Sequence, residues 1–167
     1  MLDRYKPLWG KPPALRQSYD AVIIGGGLHG LATAYFLARH QGMQNIAVIE
    51  KKYIGFGGAG RNTAIVRDNQ RTQENVPLYK EALDLWPVLT KELDYNLMFF
   101  NCGNLNLLHS EAAMNAARMN IASAQFQGVE SHLIDAKTCK EMRPALTIAE
   151  DSTYPLCGAM YHPPGGS

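Results

Sequence analysis

An α/β fold of Rossmann-like type, built on a parallel sheet, is what this chain predicts, and three observations carry that expectation. Residues 20–24 (Asp-Ala-Val-Ile-Ile) form a short apolar run of the kind a parallel strand buried on both faces needs. Gly25, Gly26, Gly27, Leu28, His29 and Gly30 follow at once. A second apolar run, residues 45–50, closes on the acid Glu50, ~20 residues beyond the last of those glycines. Between the runs, Leu31, Ala34, Tyr35 and Ala38 recur at helical spacing from Leu31 to His40, and Gly42 stops the helix.

Each position in the turn has a physical reason. Gly25 permits the tight bend, Gly27 lets the backbone approach a pyrophosphate, and Gly30 lets the helix pack close to the strand. The helix start, with Leu28 and His29, turns free amides and a positive dipole end toward phosphates. Glu50 is placed to hydrogen-bond a ribose diol, and its charge repels a 2′-phosphate, which favours FAD or NAD over NADP. A glycine motif alone is weak, whereas strand, glycines, helix, strand and terminal acid in order are specific.

Composition excludes several classes. With 167 residues the chain suffices for a domain with a core but is short for a complete flavoenzyme. Its 16 basic and 15 acidic residues leave no electrostatic footprint for nucleic acid or an anionic membrane. Cys102, Cys139 and Cys157 lack CxxC spacing and a histidine arrangement suited to zinc, which predicts reduced thiols, a cytoplasmic location and no metal. Residues 1–18 read as an arm with Tyr5 and Trp9 as anchors and no secretory core. The apolar window from Ala21 to Ala38 is broken by its glycines, so no transmembrane segment is predicted.

A second glycine-rich stretch follows Glu50: Gly55, Gly57, Gly58 and Gly60, then Arg61, Asn62, Thr63, Ile65, Val66 and Arg67. Such density lets backbone amides face a ligand, with Arg61 and Arg67 as fixed donors for phosphate. A surface loop with solvated arginines is the plainer alternative.

Taken together, the turn Gly25–Gly30 with Leu31, Ala32, Thr33, Ala34 and Tyr35, the run Ala47, Val48, Ile49, Glu50 and Lys51, and Arg61, Asn62, Thr63, Ala64, Ile65, Val66 and Arg67 are similar to the sarcosine oxidase β-subunit family. That family sits among the amine-oxidising flavoproteins, with D-amino-acid oxidase and glycine oxidase. The likeness continues through Ala82, Leu83, Leu85 and Trp86, through Asp94, Tyr95, Asn96, Met98 and Phe99, and through Gly103, Leu105, Asn106 and Leu107. The resemblance implies FAD as cofactor, with His29 at an FAD-contacting position and Arg61, Asn62, Thr63 and Arg67 on the flavin side. It also implies an FAD-binding segment over residues 19–93 and, over 94–167, the incomplete start of an antiparallel-sheet substrate domain.

Residues 77–94 read as an amphipathic helix with Leu78, Ala82, Leu85, Trp86, Leu89 and Leu93 on one stripe and Trp86 in the core. Pro87, a departure from the family pattern, predicts a kink or a restart. Residues 96–100 and 104–109 flank Asn101, Cys102 and Gly103 as a hairpin. Ser110 caps a helix ended by Gly128, residues 129–134 form an edge strand, and Asp135 caps a short helix.

By the same resemblance, the tail from Tyr154 to Ser167 leads toward a histidine that covalently carries FMN, about three residues past Ser167, and His162 is not that residue. The chain is therefore expected to be an N-terminal portion of a larger polypeptide or a split subunit, inactive alone and partnered by other subunits. The activity implied is oxidative demethylation of sarcosine, a small-molecule amine, to glycine and formaldehyde with oxygen as acceptor. FAD-dependent oxidation of an opine, proline or hydroxyproline, and a non-catalytic nucleotide-binding module, are the alternatives. No catalytic residue is assigned.

Overall fold

The computed structural model describes residues 14–70, 72–149 and 151–167, and its chain divides into two compact units, Met1–Asn62 and Thr63–Ser167. Tyr5 and Trp9, the expected anchors, lie outside the described residues.

In the first unit, β1 (Ala21–Ile24), α1 (Leu28–Gln41) and β2 (Ile46–Ile49) form the anticipated strand, helix and strand. The strands pair in parallel, with Ala21 opposite Ile46 and Ile24 opposite Ile49. Helix α1 begins earlier than the side-chain spacing indicates, because Gly27 in extended backbone serves as its N-cap. It ends at Gly42, whose φ of 67° is left-handed and whose amide donates to the Leu37 carbonyl. Among the described residues only one face of this sheet is covered, not both. Ile23 packs toward α1, beneath Gly30, whereas Val22 and Ile49 are each 53% exposed and Ile24 is 89% exposed. Side chains alternate across the strand, so covering one face leaves the other bare.

The second unit opens with α2 (Val76–Glu92) and continues through β3 (Asn104–Leu108), α3 (Glu111–Phe126), β4 (His132–Asp135), α4 (Ala136–Met142) and β5 (Gly158–His162). The three strands make an antiparallel sheet in the order β3-β5-β4. Period-two alternation sorts its two faces. Leu108, Met160 and Leu133 meet Ala117 and Ile121 of α3, while Leu105, Leu107, Ala159 and Ile134 meet Cys139 of α4 with Leu156 and Leu146. Both helices are capped as their sequence indicates. Ser110 Oγ accepts the Ala113 amide at 3.1 Å, and Asp135 Oδ1 accepts the Thr138 amide at 2.7 Å.

Several expectations are corrected here, and of the kink or restart expected at Pro87 the restart is excluded. The partner of β3 is β5, not residues 96–100, so there is no hairpin. Residues 96–100 lie outside any strand, Met98 has a φ of 55°, and Phe100 instead exchanges backbone hydrogen bonds with Ser167, 2.8 and 3.2 Å long. Helix α2 runs through Pro87 without restarting, although that residue brings no amide for the preceding turn. Its buried residues are Val76 and Leu83, while Leu78 of the expected stripe is 71% exposed. Trp86 is half-buried and stacks on Phe99 with ring centroids 5.6 Å apart, outside the core clusters.

The contrast between Ile121, buried under the sheet, and Leu78, in water, is measurable. Ile121→Ala is expected to cost about 2–5 kcal/mol in denaturant unfolding, and Leu78→Ala to stay within about 0.5 kcal/mol. Equal losses would contradict the assigned core.

Candidate functional site: the first glycine turn

The first glycine turn is shaped by needs that only glycine meets. Gly25 has a φ of 110°, where a side chain is strained. A Cβ on Gly30 would run into the carbonyl oxygen of Gly25, so the helix packs against the turn only because that atom is missing. Nothing lies within 4 Å of the place where a Gly27 Cβ would sit. Gly27 therefore offers open space beside bare backbone, and Leu28 and His29 are exposed at the helix start. No acidic residue of α1 itself occupies its first turn.

Glu50, one residue past β2, reaches back to this turn. Its Oε2 accepts the Gly26 amide at 2.9 Å and its Oε1 accepts the Lys52 amide at 2.9 Å. The two bonds, Lys52 first and Gly26 second, hold the carboxyl below its ordinary value against a smaller opposing effect of burial. Glu50 is thus a carboxylate at neutral pH, and each oxygen keeps a further lone pair for a hydroxyl. Gly26, to which the sequence assigns no role, is the residue that aims it. A Cβ there would come 3.1 Å from Glu50 Cβ, and the signal available in the sequence is a glycine between two others with an obvious purpose.

The second glycine-rich stretch is stitched to the first. The Gly55 amide donates to the Gly26 carbonyl at 2.8 Å, and the Gly60 amide to the Gly55 carbonyl at 2.9 Å. Gly55 has a φ of 79°, and residues Gly58–Arg61 form a turn of 3-10 helix. The Arg61 guanidinium lies 4.4 Å from the Phe56 ring centroid, with Lys52 Nζ 4.0 Å from the same ring. Asn62 Nδ2 donates to the Ala59 carbonyl at 2.5 Å. Gly25, Gly27, Leu28, His29, Gly30, Glu50, Arg61 and Asn62 therefore all belong to one unit, while Thr63, exposed, and Arg67, half-buried, belong to the other.

Among the described residues no group of three potential ligands could hold a metal ion, and no helix is long and apolar enough to cross a membrane.

A strand, a glycine turn and a helix, with a carboxylate tied back from the second strand, define the dinucleotide-binding class of α/β proteins. Residues 20–167 match the family model described as FAD dependent oxidoreductase, and the chain belongs to that family. It is 40% identical over 159 residues to the sarcosine oxidase subunit beta of an Arthrobacter species, covering 95% of this chain and 39% of the relative. The corresponding subunit of Rhizobium meliloti is 37% identical over 163 residues, covering 98% and 39%. Among solved structures, the L-proline dehydrogenase of P. horikoshii superposes with a TM-score of 0.80 at 30% identity, over 91% of this chain and 38% of that one. The chain spans about two-fifths of the length of these relatives.

The Glu50 tie has a pH signature. Because folding lowers this carboxyl below its ordinary value of 4.5, its bonds stabilise the fold fully above that value and are lost as pH falls through the lowered one. Glu50→Gln should flatten the acid side of the stability profile measured by denaturant unfolding between about pH 6 and pH 3. An unchanged acid slope would mean that the carboxylate does not hold the turn.

Proposed function

We propose that this chain supplies the adenosine- and diphosphate-binding part of an FAD-dependent amine oxidoreductase of the sarcosine oxidase β type. The observation that carries the reading is the open backbone at Gly27 flanked by the ionised Glu50, within a chain that belongs to the FAD-dependent oxidoreductases. In this reading the turn Gly25, Gly27, Leu28, His29 and Gly30 receives the diphosphate, and the carboxylate of Glu50 accepts the ribose hydroxyls. Arg61, Asn62, Thr63 and Arg67 face the flavin side, where the guanidinium groups provide fixed positive charge. Arg61 would exchange its contact with Phe56 for the ligand.

When bound, FAD supplies the two-electron acceptor for oxidation of a secondary amine such as sarcosine, whose imine product hydrolyses to glycine and formaldehyde. The chain's own contribution is to fix the cofactor's nucleotide end, with the Glu50 carboxylate held by the Gly26 and Lys52 amides. Because the relatives are named as subunits, other subunits complete the assembly in this proposal, with oxygen as the final acceptor and residues 94–167 beginning the substrate domain. Proline is the second candidate substrate, favoured by the 30% identity to an L-proline dehydrogenase.

Titration of the purified chain with FAD, followed by flavin fluorescence, tests the binding. Glu50→Gln should weaken it by roughly 1–3 kcal/mol, the scale of a hydrogen bond to a charged group, and Gly27→Val should leave the purified protein colourless. Glu111→Gln, whose carboxylate pairs with Arg118 at 3.3 Å in the second unit, is the control and should bind as the unaltered chain does. Equal affinities for the Glu50 and Glu111 variants would remove the ribose assignment. Flavin that binds but is reduced by neither sarcosine nor proline would leave the chain as a nucleotide-binding module.

A further inference from the structure

His162 ends β5 and is wholly buried, as is Asp68 to within a few per cent. The ring's Nδ1 lies 2.6 Å from the carbonyl oxygen of Glu130, which can only accept, so Nδ1 carries a proton. Nε2 lies 2.9 Å from Asp68 Oδ1. The approach lacks the alignment of a directed hydrogen bond, so charge decides whether it is favourable. With Nδ1 protonated, the contact is unfavourable only when both facing atoms are bare. It is favourable when one proton lies between them, on Nε2 beside a carboxylate or on Asp68 beside the ring nitrogen. An imidazolium would be attracted, and strongly so away from water.

The pair sits where three segments meet. Asp68 follows Val66, which exchanges two 2.9 Å backbone bonds with Gly166, and Gly103 donates to the Gly165 carbonyl at 2.9 Å. Gly165 is closely fitted there: a Cβ would come 3.0 Å from both Asn104 Cβ and His162 Cδ2. Residues 165 and 166 are thereby laced between the stretch bearing Arg67 and the start of β3. A buried charge pair adds little net stability compared with apolar packing, because both ions must leave water. Its effect is on conformation, since breaking it leaves a buried charge alone.

We propose that His162 is a positioning residue: as an imidazolium it latches Asp68 to the end of β5 and thereby sets the backbone on either side of Arg67. The latch itself rests on the geometry of the second unit. Its consequence for a cofactor rests on the reading of Arg67 given under the proposed function.

Three measurements on the full chain test it. In nitrogen-15 spectra of histidine-labelled protein at neutral pH, both His162 ring nitrogens should appear protonated, and a bare Nε2 would overturn the proposal. Without FAD, Asp68→Asn and His162→Gln should each speed hydrogen exchange at the Val66 and Gly166 amides, on the order of 100-fold, with β1 and β2 unchanged. The double variant should recover much of that protection, because no lone charge remains buried, whereas additive losses would reduce the contact to ordinary packing and overturn the latch. With FAD, Asp68→Asn should bind about 10-fold more weakly than the unaltered chain, the scale of an indirect coupling. An unaltered chain that binds no FAD refutes the cofactor reading alone, because the first two measurements judge the latch without it. Binding by Asp68→Asn equal to the unaltered chain, where Arg67→Ala is weakened, would overturn the positioning of Arg67.

Discussion

The bond from the Gly26 amide to the Glu50 carboxylate is the constraint on which the first unit's candidate site depends. It joins the turn after β1 to the residue after β2, two places that the parallel pairing brings side by side but does not itself connect. Through the same residue, the Gly26 carbonyl takes the Gly55 amide, so one glycine couples the acid to both glycine-rich stretches. The carboxylate thus has a structural partner before any ligand arrives. Its ionisation follows from the Lys52 and Gly26 amides, which favour the charged form against the smaller opposing effect of burial.

Much of this was legible in the sequence, and the reason is local chemistry. Gly25, Gly30 and Gly42 each answer to a steric or dihedral demand that no other residue meets as well, and Ser110 and Asp135 cap their helices through hydrogen bonds spanning three residues. Signals of that range survive without knowledge of the fold. Pairing between distant segments does not. The turn chemistry around Gly103 suggests a hairpin, yet β3 pairs with a strand more than fifty residues later. That strand's Ala159 and Met160 fill opposite faces of the sheet, while the left-handed backbone at Met98 keeps residues 96–100 from extending beside β3. The role of Gly26 was hidden for a related reason: it concerns contact with a side chain 24 residues away.

In the second unit, polar and apolar constraints work on different parts of one sheet. The two hydrophobic clusters fix which face meets α3 and which meets α4. The end of β5 is fixed by His162, Asp68 and the Glu130 carbonyl, with backbone bonds from residues 66, 100 and 103 to the residues that follow. The His162–Asp68 approach, 2.9 Å long and shut away from water, adds a polar restraint at the end of the strand to the apolar ones on its faces.

The bare side of the β1–β2 pair has a practical consequence. Val22, Ile24 and Ile49 present branched hydrocarbon to water from strands whose outer edges are also unpaired among the described residues. Surfaces of this kind recruit whatever greasy material is nearby, including other copies of themselves. In the isolated chain Ile24→Lys would break that hydrocarbon face with a charge and should lower self-association as concentration rises.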